Sequence, residues 1–328
     1  MRFLMLALML LSAGCAPSWQ EGGPPQQPPT VTPLAYVTED GTALPLRVWP
    51  ANPHPKAILL ALHGMNDYAN AFSQPAALWA RDGITTYAYD QRGFGGAPYR
   101  GKWPDPELLV QDVQHMTRTL RARHPGVPLY LLGESMGAAV VALALTRPDL
   151  VPVDGAILSA PAVWGGDAMN LFFRASLWLG AHTFPESRVT GQGLKRWASD
   201  NLEVLRGLSR DPLFIKGTRL DAVYGVTSLM GDAYGSAERI PAKVPILVLY
   251  GARDEIIPPD PVHDFIKRLP PHRVAYYADG CHLLMRGLGA EAVLRDIRAW
   301  IADKDAPLSG ATTFPETAKC RPSDRPAE

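Results

Sequence analysis

Ser135 stands in Gly133-Glu134-Ser135-Met136-Gly137, between the apolar run Leu129–Leu132 and the small-residue stretch Met136–Thr146. A serine hydroxyl is a weak nucleophile unless a base takes its proton and a third group orients that base. Glycine two residues before and two after suits a sharp strand-to-helix turn, where a Cβ at either place would collide. Such a turn aims the hydroxyl outward at a helix N-terminus, where the positive dipole end favours developing negative charge. The residues therefore offer nucleophilic acyl transfer. Four of the eight histidines follow the serine: His182, His263, His272 and His282. His282 belongs to Asp279-Gly280-Cys281-His282-Leu283-Leu284, and a candidate acid, Asp254, follows the apolar run Ile246–Tyr250 with Glu255 as its neighbour and rival.

These side chains need a scaffold. Strand-like runs occur at Leu44–Val48, Ala57–Leu62, Thr85–Tyr89, Leu129–Leu132, Ala156–Ser159, Ile246–Tyr250 and Val274–Tyr277. Most are continuously apolar, which predicts strands buried on both faces of a mostly parallel sheet. Helical patterns lie between them at Ala71–Arg81, Pro106–Arg123, Met136–Thr146, Pro259–Lys267 and Glu291–Ile301. This alternation predicts a wound α/β sheet flanked by helices. The rhythm breaks at about 161–240, where no strand is evident and a helical insertion is expected. Its apolar residues, including Trp164, Phe172, Phe173 and Trp178, suggest an apolar pocket or, more plainly, ordinary packing.

The whole order resembles the α/β-hydrolase fold, and within it the monoacylglycerol lipase and lysophospholipase branch. The resemblance spans about 34–302. It rests on His63-Gly64, Tyr89-Asp90-Gln91-Arg92-Gly93-Phe94-Gly95, the Ser135 motif, Asp211-Pro212-Leu213, Gly251 with Asp254, and His282. In that chain order the acid and then the histidine follow the serine. His182 falls in the insertion, His263 in a helix and His272 at the start of a strand. His282, in the loop after the last strand, is the expected base. Asp254, at the C-terminal end of a buried strand, is the expected acid. Two backbone N–H groups, from Met136 and Met65, are expected to form the oxyanion hole. His63 precedes the serine, and its expected role is hydrogen bonding within its own loop. The resemblance makes Asp90 and Arg92 structural and the insertion a helical cap over the site. Ala138 stands where many relatives have a second glycine, and the cap resembles the family only at Asp211-Pro212-Leu213.

Composition narrows the function classes. The chain has 328 residues, 47% of them hydrophobic, and 32 Lys+Arg balance 32 Asp+Glu. Zero net charge removes the electrostatic case for a nucleic-acid or anionic-membrane binder, so any membrane association is expected from a lipid and not from a basic surface. Three cysteines exclude a disulfide scaffold, and no clustered Cys/His set or HExxH implies a metal. No cofactor is expected. Arg2, the apolar run Phe3–Leu11 and the small residues before Cys15 describe a secretory signal over 1–14. That end resembles a bacterial lipobox, which makes Cys15 the expected lipidation site and a membrane the expected partner. Ala16 after it, by resemblance to Gram-negative lipoproteins, favours the periplasmic face of the outer membrane. Residues 15–33 hold six of the 32 prolines with almost no aliphatic residues and read as a disordered tether, and 304–328 as a flexible tail. The hydrolase domain is then 34–303. Cys281 and Cys320 form a possible disulfide outside the cytoplasm.

The expected activity is hydrolysis of a lipid-like carboxylic ester through Ser135. The same residues fit an acyltransferase or amidase. A lipoprotein that only binds lipid or a partner is the reading from another class.

Overall fold

The computed structural model describes residues 16–323 apart from Asn52, Gln192 and Leu194. The signal segment and Cys15 lie outside the described residues. The strands are β1 (Thr30–Val31), β2 (Ala35–Val37), β3 (Ala43–Trp49), β4 (Ala57–Leu62), β5 (Ile84–Tyr89), β6 (Leu129–Glu134), β7 (Gly155–Ser159), β8 (Arg188–Val189), β9 (Thr218–Arg219), β10 (Ile246–Gly251) and β11 (His272–Tyr277). The helices are α1 (Ser73–Arg81), α2 (Pro106–Arg123), α3 (Met136–Leu145), α4 (Leu171–Thr183), α5 (Leu202–Arg210), α6 (Leu220–Tyr234), α7 (Pro259–Arg268) and α8 (Ala290–Ala302).

Nine strands form one sheet in the order β1-β2-β3-β5-β4-β6-β7-β10-β11. The six from β5 to β11 pair in parallel, and β1, β2 and β3 add an antiparallel edge. Every residue of β4, β5, β6, β7 and β10 is buried. This is the physical basis of their unbroken apolar runs, since helices cover both faces. The fold is therefore an α/β-hydrolase fold with a mostly parallel central sheet. The strand order turns back between β4 and β6, and at such a switch point the loops beyond the strand ends part and leave a crevice.

All ten residues of α3 are buried, so it is apolar all round. Helix α2 starts where Asp105 accepts a hydrogen bond from the Glu107 N–H at 2.9 Å, with Pro106 in the first turn.

Three expectations differ from the structure. The insertion between β7 and β10 is not wholly helical: besides α4, α5 and α6 it holds the antiparallel pair β8–β9. Two-residue strands bear no periodic signal. The proline-rich segment is not a free tether along its length. The Gln20 N–H donates to the Trp103 carbonyl at 2.7 Å, the Gln20 carbonyl accepts from the Asp105 N–H at 3.0 Å, and Thr30–Val31 form β1. Trp19 and Val31 pack on the core. Average composition conceals two such anchoring residues.

The third difference is the C-terminal tail, which does not run loose after Asp303. Ala311 exchanges two 2.8 Å backbone hydrogen bonds with Tyr276 and so covers part of the β11 edge. Phe314 packs edge-on to His263 at 4.2 Å between centroids, and Asp296 accepts from the N–H groups of Ser309 and Gly310. Cys320 is bonded to Cys281 across 39 positions of sequence.

Candidate active site

The elbow forms because local sterics leave one solution. Ser135 has φ 56° and ψ −116°, a left-handed conformation strained for any residue with a Cβ. A Cβ on Gly133 would lie 2.3 Å from the Ala138 nitrogen, and one on Gly137 would lie 2.2 Å from the Leu62 carbonyl oxygen. Glycine at both places is thus a packing requirement as well as a turn preference. The turn is held by hydrogen bonds: the Ser135 N–H donates to Ser159 O at 2.9 Å, and Ser135 O accepts from the N–H groups of Ala138 and Ala162.

The three residues expected to act together meet here. His282 Nε2 lies 2.8 Å from Ser135 Oγ, and His282 Nδ1 lies 2.8 Å from Asp254 Oδ2. The second oxygen of Asp254 accepts from the N–H groups of Ile256 at 2.8 Å and Ile257 at 3.0 Å. A carboxylate occupied in this way requires Nδ1 to donate, which leaves the Nε2 lone pair to accept the serine proton. All three residues are buried. Burial pulls the His282 pKa down, but the Asp254 charge and hydrogen bond outweigh it, with Glu134 adding to the rise, and the net shift is upward. Glu255 is not in this network, so the rivalry between the two carboxylates is resolved in favour of Asp254 by position.

The loop after β4 passes directly over the serine. A Cβ on Gly64 would lie 3.2 Å from the Ser135 Cβ, so only a bare backbone passes there in comfort. Met65 follows it, and Met136 opens α3, whose first N–H groups have no partner within the helix. His63 is fixed inside the loop. Its Nε2 accepts from the Gln91 N–H at 2.9 Å, and Nδ1 donates to Gly64 O at 2.9 Å. Complete burial lowers its pKa, which keeps the ring neutral.

The sequence reading did not single out a further cluster. Arg286 sits in a 3-10 turn (Leu284–Arg286) just beyond His282. Its guanidinium pairs with Glu134 at 2.8 Å and with Asp67 at 2.7 Å. Burial works against this cation, but the two carboxylates outweigh it and hold its pKa above the ordinary value. One side chain thus ties the histidine loop to the elbow and to the loop after β4. A charged residue inside the elbow motif and an arginine four places after His282 were the available signals. Neither shows a partner in one dimension.

The cap is fastened through the segment that resembles the family. Asp211 Oδ2 accepts from the Tyr68 hydroxyl at 2.7 Å, and Arg100 donates to Pro212 O at 2.9 Å. Asn66 donates to the Thr218 hydroxyl at 2.8 Å and accepts from the Ile215 N–H at 2.9 Å. Asp90 and Arg92 are structural: Asp90 accepts from the N–H groups of Ala69 and Gly96, and Arg92 pairs with Asp40 and Asp112. Phe172 and Phe173 point outward along α4, 74% and 59% exposed, whereas Trp178 lines a groove between α4 and α6 with Tyr224 and Thr227. Trp164 instead packs against the main core.

This geometry is a buried Ser–His–Asp relay on an α/β-hydrolase scaffold. The chain belongs to the family described as "Serine aminopeptidase, S33", a hydrolase family that matches residues 53–288. It is similar to monoglyceride lipase of Rattus norvegicus, at 26% identity over 85% of this chain and 93% of the relative. It is likewise similar to monoacylglycerol lipase of Mycolicibacterium smegmatis, at 26% identity over 81% of this chain and 95% of the relative. Among solved structures it superposes on a soluble variant of monoglyceride lipase from Saccharomyces cerevisiae with a TM-score of 0.72, covering 87% of this chain and 99% of that one at 21% identity.

Proposed function

We propose that the protein hydrolyses lipid-like carboxylic esters, of the monoacylglycerol or lysophospholipid class, through an acyl-enzyme on Ser135. The observation that carries this reading is the buried relay of two 2.8 Å contacts from Ser135 through His282 to Asp254. Ser135 Oγ attacks the ester carbonyl while His282 Nε2 takes its proton, and Asp254 stabilises the imidazolium. The oxyanion is held by the N–H groups of Met136 and Met65. Collapse expels the alcohol, which leaves with the proton from His282. Water then attacks the acyl-enzyme with His282 again as base, releasing the acid and restoring Ser135. The lipid class is supported by the names of the relatives, which are monoglyceride lipases. The family description names a peptidase, so the same relay acting on an amide is the second reading.

A panel of p-nitrophenyl esters of rising chain length, run beside monoacylglycerol, lysophospholipid and aminoacyl p-nitroanilides, tests both. Turnover of the lipid esters and fluorophosphonate labelling of Ser135 are expected. Ser135→Ala should lower kcat by about 10⁶-fold. Full activity in that variant refutes the mechanism, and preference for the anilides moves the assignment to the peptidase reading.

The protein is further read as a lipoprotein held through Cys15, at the periplasmic face of the outer membrane. Metabolic labelling with a palmitate analogue should mark wild type and not Cys15→Ser.

A further inference from the structure

We propose that Asp200 is a positioning residue for His282: from the cap it grips the return leg of the loop that carries the base, and so fixes where the imidazole stands beside Ser135. The inference rests on the reaction proposed above. His282 lies between β11 and α8, where regular structure is confined to the 3-10 turn Leu284–Arg286. Such a stretch has no sheet ladder to set its place, so the contacts of its neighbours must do so. Two of these are already described: the bond from Cys281 to Cys320 just before the histidine, and the pairing of Arg286 with Glu134 and Asp67 after it. A third set comes from residues 196–201, in the chain between β8 and α5.

That set takes hold on both sides of the turn. The Leu283 N–H, adjoining His282, donates to Ala198 O at 2.7 Å. Ser199 Oγ donates to Arg286 O at 3.4 Å, and the Leu288 N–H donates to Asp200 Oδ1 at 2.9 Å. Arg196 reaches the acid loop as well, donating to Glu255 O at 3.3 Å beside Asp254. Among the three hydrogen bonds to the histidine loop, that of Asp200 has a carboxylate as acceptor, and charge-assisted bonds are roughly twice as strong as neutral ones. Asp200 is buried, and a Cβ on Gly287 would lie 2.9 Å from its Oδ1. The carboxylate therefore sits directly against the loop backbone.

Asp200 is itself held. Its carbonyl accepts from the Ser323 N–H at 2.9 Å, three residues past Cys320. Asn201 beside it caps α5, accepting from the N–H groups of Glu203 and Val204. The far end of α5 is fastened by Asp211 to Tyr68, in the loop after β4. A helix of nine residues, about 14 Å long, thus has one end at the histidine loop and the other at the loop that carries Met65. Misplacement of a catalytic group by about 1 Å costs on the order of 10²-fold in rate. Asp200 prevents such a displacement of the base.

The test compares Asp200→Ala and Asp200→Asn in the full chain, with p-nitrophenyl butyrate as a soluble substrate. Asp200→Ala should lower kcat by about 10- to 100-fold and leave KM within about twofold, since the base moves and the binding surface does not. Asp200→Asn keeps an oxygen acceptor in place and should hold kcat within about threefold of wild type. Gly287→Ala disturbs the same contact from the loop side and decides the matter if Asp200→Ala does not fold. It should lower kcat in the wild-type background and have no further effect in Asp200→Ala. Unchanged kcat in Asp200→Ala, a change in KM alone, an Asn variant as impaired as the Ala variant, or additive losses in the double variant each overturn the proposal. Wild type that a fluorophosphonate does not label at Ser135 overturns the reaction and the proposal together, whereas labelled wild type beside unimpaired variants overturns the proposal alone.

Discussion

Around Ser135 the neighbours are backbone atoms and paired side chains, whereas α4 buries only Ala181 and turns its phenylalanines outward. The elbow stands at the C-terminal end of β6, and α4 belongs to the insertion that follows β7. They differ in what restrains them. The elbow is held by three fully buried strands and by sterics that admit no Cβ at Gly133 or Gly137. The cap is tied down at its base, through Asp211, Pro212, Asn66 and Ile215, and is open above. Chemistry needs atoms fixed to a fraction of an ångström, while entry of a lipid needs a surface that tolerates change. The strained serine conformation persists only because its surroundings over-determine it.

Substitutions can break this contrast, and the largest effect should come from the relay itself. Asp254→Asn keeps the shape but removes the charge that selects the Nδ1–H tautomer of His282, and kcat should fall by about 10⁴-fold. Steady-state turnover of a soluble p-nitrophenyl ester measures it, and a loss below tenfold would mean that Asp254 is not the orienting group. Gly137→Ala should come next, because its Cβ would meet the Leu62 carbonyl at 2.2 Å. Loss of at least about 3 kcal/mol in urea unfolding is expected, or failure to fold.

The clamp on the histidine loop is third. Cys281 adjoins His282, and its bond to Cys320 closes a loop with a sequence separation of 39. Cys320→Ser should lower stability by about 3–4 kcal/mol in the oxidised protein, seen as a fall in Tm. It should also reduce kcat more than KM, since the loop carries the base. Equal Tm for the two proteins would show that the tail contributes nothing there.

The fourth effect is a shift in pH dependence. Activity is lost as pH falls through the His282 pKa, because the protonated ring cannot accept the serine proton. Glu134 raises that pKa and Arg286 opposes the rise. Glu134→Gln should therefore move the acid limb of kcat/KM to lower pH, and Arg286→Met should move it to higher pH. Shifts in the same direction would assign the cluster to packing alone. The smallest effect belongs to the cap: Leu179→Ser, on the exposed face of α4, should change stability by no more than about 0.5 kcal/mol.

The reach of one-dimensional reading follows the same division. Leu129–Leu132 and Ile246–Tyr250 were legible as strands because burial on both faces leaves a purely apolar run. Ser135 was legible because the glycine spacing is itself the geometry of the turn. Strand β8 escaped notice, since Arg188 and Val189 are exposed and carry no pattern. The C-terminal tail was misread because Phe314, Ala311 and Ser309 are scattered among polar residues. Each has its own distant partner.

The sequence by itself singled out Ser135 in its glycine-flanked turn and the wound sheet that presents it, while Asp254 and His282 were picked out by the order of the family it resembles. The turn and the sheet are matters of local sterics and of periodicity along the chain. Only the tertiary structure decided that Arg286 joins Glu134 to Asp67, that Cys320 is bound beside His282, and that Trp19 rests on Tyr224. Each of these depends on proximity between residues far apart in the chain. Proximity of that kind is set by how the layers pack, and composition and spacing hold no record of it.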